Sequence, residues 1–175
     1  MMCITLIAGD VSTADYAGGM PLEPDHLTPD EGLTWRSHLR VHALLSAGLA
    51  RRLARDSGLS GADFEILAAL ATSPDGRMTS LRVRRTLVWE KSRLSHQVRR
   101  MEQRGLIVRE PNPDDARSSL LALTPAGRAT VEDAFAPYAQ YVREHYLDLL
   151  TPEERDVLIK VSERVVAGLG SIDDA

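Results

Sequence analysis

Apolar residues recur at helical spacing along much of the chain, and polar turn signals separate the stretches. Thr28-Pro29-Asp30-Glu31 has the makings of a helix start: a capping hydroxyl, a proline suited to the first turn, and Glu31 at the capping-box position. Trp35, Leu39, Leu45, Leu49 and Leu53 follow at broadly helical spacing, and Ser57-Gly58 supplies a stop. Ser60 and Asp63 open a second helix with Phe64, Leu67, Leu70 and Ala71 on one face, ended by the turn Ser73-Pro74-Asp75-Gly76. A short third helix is predicted over about 79–87, with Val88 and Trp89 as an apolar corner after it. A fourth runs from about Glu90 to Arg104, with Leu94, Val98 and Met101 inward and Gly105 as its left-handed cap.

The period then changes. Leu106-Ile107-Val108-Arg109 and Leu120 to Leu123 read as two strands joined by a long loop through Pro111-Asn112-Pro113-Asp114-Asp115. Thr124-Pro125 opens a fifth helix expected to reach about Leu150, with Pro137 inside it. Thr151-Pro152-Glu153-Glu154 repeats the start seen at Thr28 and opens a sixth helix with Leu158, Val161, Val165 and Leu169 on one stripe. Residues 1–27 mix Gly, Pro, Asp and Ser without a period and read as a mobile acidic arm. The expected fold is therefore mainly α with a small β-hairpin wing, a winged helix-turn-helix among six main helices.

Charge sharpens this picture. The whole chain carries a formal −4, which by itself argues against nucleic acid. Its distribution argues the other way. Residues 77–117 hold eleven bases and five acids, a net +6, while residues 1–33 carry −6 and residues 118–175 carry −5. The basic segment coincides with the third helix, the fourth helix and the hairpin, as a phosphate-binding surface requires. On the fourth helix the outward side chains suit DNA. Ser92, Arg93, His96 and Gln97 are the candidates for base edges, and Lys91, Arg99 and Arg100 for phosphates. At the loop tip, Arg117 could enter a narrow minor groove, with Asp115 holding it by an ion pair.

Lys91-Ser92-Arg93-Leu94-Ser95-His96-Gln97-Val98, Arg100-Met101-Glu102, Arg104-Gly105-Leu106, Asp115-Ala116-Arg117 and Leu123-Thr124-Pro125-Ala126-Gly127-Arg128 together resemble the MarR family of bacterial transcription regulators. The resemblance covers about residues 30–170. It implies an intertwined homodimer, with dimerisation helices at about 28–57 and 124–170 and a DNA-binding lobe at about 60–123. It further implies double-stranded DNA as partner, at a pseudo-palindromic operator with half-sites about one turn, ~10 bp, apart. A repressor released by a small aromatic or phenolic effector is the expected mode of action. The family often places a small residue in the third helix where it packs on the fourth; by register that position is Arg84.

Trp35, His38 and His42 share one face of the first helix. They suit core or interface positions, the wall of an effector cleft, or, through the His38–His42 spacing, two ligands of a metal; no further metal ligands lie nearby in sequence. The single cysteine, Cys3, excludes a disulfide framework or a four-cysteine zinc site, and with no basic neighbour it reads as an ordinary thiol. No metal or cofactor is expected. Enzyme motifs are missing: there is no Gly-rich phosphate loop and no Gly-x-Ser-x-Gly, and the adjacent Ser95 and His96 point in different directions on a helix. No apolar run approaches the ~20 residues of a membrane span, and the first 33 residues lack the basic start of a secretory signal. The expected location is the cytoplasm. The competing reading is a winged-helix protein-interaction adaptor without sequence-specific DNA binding, which an acidic or apolar outer face would favour; this face is basic.

Overall fold

A computed structural model describes residues 27–113, 115 and 118–173. All of the expected arm but Leu27, including Cys3, lies outside the described residues, as do Asp114, Ala116 and Arg117 of the loop tip. The element order is α1 (Pro29–Ser57), α2 (Gly61–Ala71), β1 (Arg77–Thr79), α3 (Ser80–Leu87), α4 (Lys91–Gln103), β2 (Ile107–Pro111), β3 (Ser119–Leu123), α5 (Pro125–His145) and α6 (Pro152–Asp173), with a 3-10 turn at Leu147–Leu149. The chain divides into two compact units between Gly48 and Leu49, within α1.

The helix starts follow from their capping residues. Thr28 donates its amide to Glu31 Oε2 at 2.8 Å, and Thr151 donates likewise to Glu154 Oε2 at 2.8 Å. Ser60 and Asp63 form a reciprocal capping box on α2, and Thr124 Oγ1 accepts the Gly127 amide at 2.9 Å on α5. Each satisfies amides that the first helical turn leaves without partners. The end of α4 is a Schellman motif. Gly105 takes φ +69°, its amide donates to Glu102 O at 3.0 Å, and the Leu106 amide donates to Met101 O at 3.0 Å.

The expected hairpin of the wing forms from β2 and β3, and β1 adds a third strand to give the order β1-β3-β2, with Met78 opposite Leu121 and Arg109 opposite Leu121 on the other side. β1 has three residues, too few to show a period, and it forms because β3 offers a free edge to the segment leaving the α2 turn. One boundary is corrected: the fifth helix, expected to reach about Leu150, stops at His145, and its chain tightens into the 3-10 turn before α6. Pro137 is accommodated inside α5, which continues on both sides of it.

The core of the larger unit is built around α2. This helix is apolar on nearly all sides, as a helix surrounded by others must be: Ile66, Leu67 and Leu70 are fully buried. Val83 of α3, Val98 and Met101 of α4, Ile107 and Leu121 of the sheet, and Val131 of α5 are among the residues that join them in one cluster. Burying each such side chain contributes about 1.5–3 kcal/mol. Phe64 stacks on Tyr138 of α5 with centroids 4.6 Å apart and meets Phe135 edge-on at 5.6 Å. Val83, not Arg84, is the fully buried residue of α3. Gly127 lies so close to the sheet that a methyl group there would overlap the Leu106 carbonyl. That approach brings the Thr124 hydroxyl within 2.7 Å of Gly105 O, stitching the start of α5 to the end of α4.

Outside this core, apolar side chains stay exposed. In α1 these include Leu33, Trp35, Val41 and Leu44. Helix α6 is exposed from Pro152 to Gly170, with Leu158, Val161, Val165 and Leu169 forming an uncovered stripe.

Candidate nucleic-acid interface

Helix α4 has two chemically distinct faces. Leu94, Val98 and Met101 are buried, while Lys91, Ser92, Arg93, Ser95, His96, Arg99 and Arg100 are exposed. Helix α3 adds two exposed cations, Arg82 and Arg85. Among the described residues, none of Arg82, Arg85, Lys91, Arg99 and Arg100 forms an ion pair, so their charge is available to an incoming anion. On the wing, by contrast, Arg77 pairs with Glu110 at 2.9 Å and Arg109 with Glu102 at 3.2 Å. The α3 cations belong to the basic segment, but the sequence alone gives them no face, because an eight-residue helix shows its inner side only once packed.

The turn between α3 and α4 is closed by the same hydrogen-bond pattern that ends α4. The Trp89 amide donates to Arg84 O at 3.0 Å and the Val88 amide to Arg85 O at 3.3 Å. The left-handed position, however, is filled by Val88 at φ +53°, a conformation that β-branched residues rarely adopt. The expected apolar corner is half correct: Trp89 is 6% exposed, but Val88 is 89% exposed. Trp89 and Leu94 occupy the two positions of a hydrophobic staple around the helix start, and both are buried. Glu90 takes the cap position without a side-chain cap bond. The Arg93 guanidinium lies over the Trp89 ring, its central carbon 4.0 Å from the ring centroid.

Gln97 requires a correction. Placed among the base-edge residues by the sequence, it is only 9% exposed and donates its side-chain amide to Asp63 Oδ1 at 2.6 Å. Arg104 Nη1 donates to Asp63 Oδ2 at 2.6 Å, and Arg104 Nη2 donates to Gly58 O at 2.9 Å. Asp63, 1% exposed, also accepts the Ser60 amide at 2.9 Å. One carboxylate thus ties the start of α2 and the preceding loop to both the middle and the end of α4. Burial pushes the Asp63 carboxyl up, but the Ser60 amide and hydroxyl and the Arg104 guanidinium outweigh it, and the group is held below the usual carboxylate range. Gln97 turns inward because a buried carboxylate must be satisfied by donors. Its partner lies 34 residues away, so helical position alone left Gln97 indistinguishable from its exposed neighbours.

The remaining candidates divide between the elements. Asp115 is described and exposed; its amide donates to Asn112 O at 3.3 Å and its carbonyl accepts from the Ser118 amide at 3.0 Å in the loop turn. Arg117 lies outside the described residues. Trp35, His38 and His42 are all exposed on α1, and the Trp35 and His38 rings stack with centroids 5.7 Å apart. Among the described residues no three His, Cys, Asp or Glu side chains gather as a metal would need. None of the described helices is long and apolar enough to cross a membrane.

The sequence model of the MarR family matches residues 57–118, which span the α2-to-loop part of this lobe. Among solved structures, the chain is similar to AbsC, a MarR family transcriptional regulator from Streptomyces coelicolor. The two are 35% identical, with 83% of this chain and 97% of AbsC covered and a TM-score of 0.79. Sco3205, a MarR family transcriptional regulator of the same organism solved in complex with DNA, is 34% identical, with coverages of 82% and 93% and a TM-score of 0.78. The curated transcriptional regulator HosA of Escherichia coli O111:H- is 28% identical over 108 residues, 62% of this chain and 78% of HosA. Winged lobe, basic helix face and a similarity that covers 83% of the chain agree: the chain belongs to the MarR family of transcriptional regulators.

Proposed function

We infer that the protein is a sequence-specific regulator that binds double-stranded DNA as a homodimer and places α4 of each copy in the major groove. The observation that carries this reading is the exposed, unpaired basic face of α4 above a fully buried apolar face, at the centre of a lobe whose relative Sco3205 was solved with DNA. Ser92, Arg93 and His96 read base edges; Lys91, Arg99 and Arg100, joined by Arg82 and Arg85, contact phosphates; Arg117 reaches the minor groove from the wing. The exposed apolar residues of α1 and α6 serve the dimer, since a lone chain has no reason to leave such a stripe in water. The lobe at about 60–123 binds the operator, and the helices at 28–57 and 124–170 join the copies. The regulator represses, and a small aromatic or phenolic effector, received near Trp35, His38 and His42, releases it.

The test is binding of the purified protein to duplexes selected from a random pool. The expected result is a pseudo-palindromic consensus, an operator preference lost in an Arg93→Ala, His96→Ala double variant, and affinity that falls steeply with salt. A folded protein with no preference for any duplex would sink the proposal.

A further inference from the structure

Arg93 differs from every other cation of the exposed face. Its guanidinium lies over an aromatic ring at 4.0 Å, and that ring is not free to follow it. Trp89 is 6% exposed, its backbone amide is bonded to Arg84 O at 3.0 Å, and its side chain belongs to the buried cluster that includes Leu94. The carboxylate nearest in sequence, Glu90 at the helix cap, does not compete: among the described residues Arg93 has no ion pair. Arg93 is also in the first turn of α4, the turn that meets base edges in helix-turn-helix proteins. Stacking leaves the guanidinium N–H edge unblocked, because the ring contacts the π face and not the donors. A pre-ordered fork of two parallel donors fits the O6 and N7 acceptors of guanine.

We propose that Trp89 is a positioning residue for sequence reading: its buried indole holds the Arg93 fork in place for a guanine in each half-site of the operator. The proposal rests on the DNA-reading function above. It separates Arg93 from Lys91, Arg99 and Arg100, whose flexible cations suit phosphates, and it gives a buried aromatic a role beyond filling the core. It also fixes one base of the operator by chemistry.

A double-mutant cycle tests it, using the operator selected by the wild-type protein and a random duplex as reference. Arg93→Ala should lower the operator-over-random ratio roughly tenfold. Trp89→Leu should lower it about threefold. Trp89→Phe, which keeps an aromatic face, should retain most of the ratio. The double variant Trp89→Leu, Arg93→Ala should be no worse than Arg93→Ala alone, because the indole can act only through the guanidinium. Replacing the assigned guanine by 7-deazaguanine should weaken wild-type binding and leave Arg93→Ala unaffected. Independent, multiplying losses from Trp89→Leu and Arg93→Ala would overturn the proposal, as would an equal loss on operator and random duplex. If Trp89→Leu does not fold, Arg93→Lys decides: it keeps the charge but not the fork, and an undiminished ratio would refute the assignment. A wild-type protein without operator preference would instead defeat the underlying DNA-reading function, so the two failures are distinguishable.

Discussion

Replacing Asp63 by Ala should be among the most damaging single substitutions in the lobe. The carboxylate receives the Gln97 amide at 2.6 Å, the Arg104 guanidinium at 2.6 Å and the Ser60 amide at 2.9 Å. Its removal strands the buried Gln97 donor, at about 1–3 kcal/mol. It also removes half of the capping box on α2, at about 1 kcal/mol. The Arg104 side chain is 43% exposed, so its guanidinium regains water and adds at most about 1 kcal/mol. These losses share one carboxylate and do not add fully, so the expected total is about 3 kcal/mol, the lower end of the cost of breaking a buried charged pair. The assay is urea unfolding followed by far-UV circular dichroism at one fixed protein concentration, since the stability of the proposed dimer would depend on concentration. A loss below about 1 kcal/mol would show that the network contributes no more than a surface ion pair. The same carboxylate carries a pH signature. Its partners hold it below its unfolded value, so its contribution is complete above about pH 4 and is lost as pH falls through the folded value. Asp63→Asn has no proton to gain in that range. The wild type's stability advantage over Asp63→Asn should therefore shrink on acidification, and an advantage undiminished at about pH 2 would refute the reasoning.

Val88→Asn should raise the urea midpoint, by about 1 kcal/mol in stability, because asparagine tolerates the left-handed backbone that valine resists and the 89% exposed Val88 side chain has little packing to lose; a lowered midpoint would contradict the strain. Gly127→Ala should destabilise by about 3 kcal/mol, since its methyl group overlaps the Leu106 carbonyl; thermal unfolding within about 0.5 kcal/mol of wild type would show that the sheet yields freely. Glutamates at Val165 and Leu169, both exposed on α6, should shift the protein from dimer to monomer in sedimentation velocity without loss of lobe helicity, and an unchanged dimer would remove this stripe from the interface. Arg99→Ala and Arg100→Ala should each reduce the slope of log affinity against log salt by about 1 while leaving the operator-over-random ratio unchanged; an unaltered slope would take that residue off the phosphate backbone.

Much of the molecule follows from local chemistry legible along the chain. Thr28, Ser60, Thr124 and Thr151 cap helices where their spacing to an acid or a following proline indicates. Gly105 ends α4 because it can take the left-handed conformation. Leu94, Val98 and Met101 face inward by their period, and the concentration of positive charge on the helix-turn-helix and wing can be counted without coordinates. The caps depend on neighbours within about one helical turn, and the stripe and the charge on order along the chain, so no distant partner is needed. Tertiary structure decided what long-range partners determine. The Gln97 amide faces a buried carboxylate 34 residues earlier in the chain, which withdraws it from the exposed face of α4. β1 exists only because β3 completes its hydrogen bonds. Val88 and Trp89 look alike as an apolar pair, yet the turn's backbone geometry exposes one and buries the other beneath Arg93. The sequence by itself thus determined which helix presents an exposed basic face and how much charge it carries. Which of its polar side chains remain available to read a base was decided by packing, because a buried charge must take its donors from whatever the fold brings within reach.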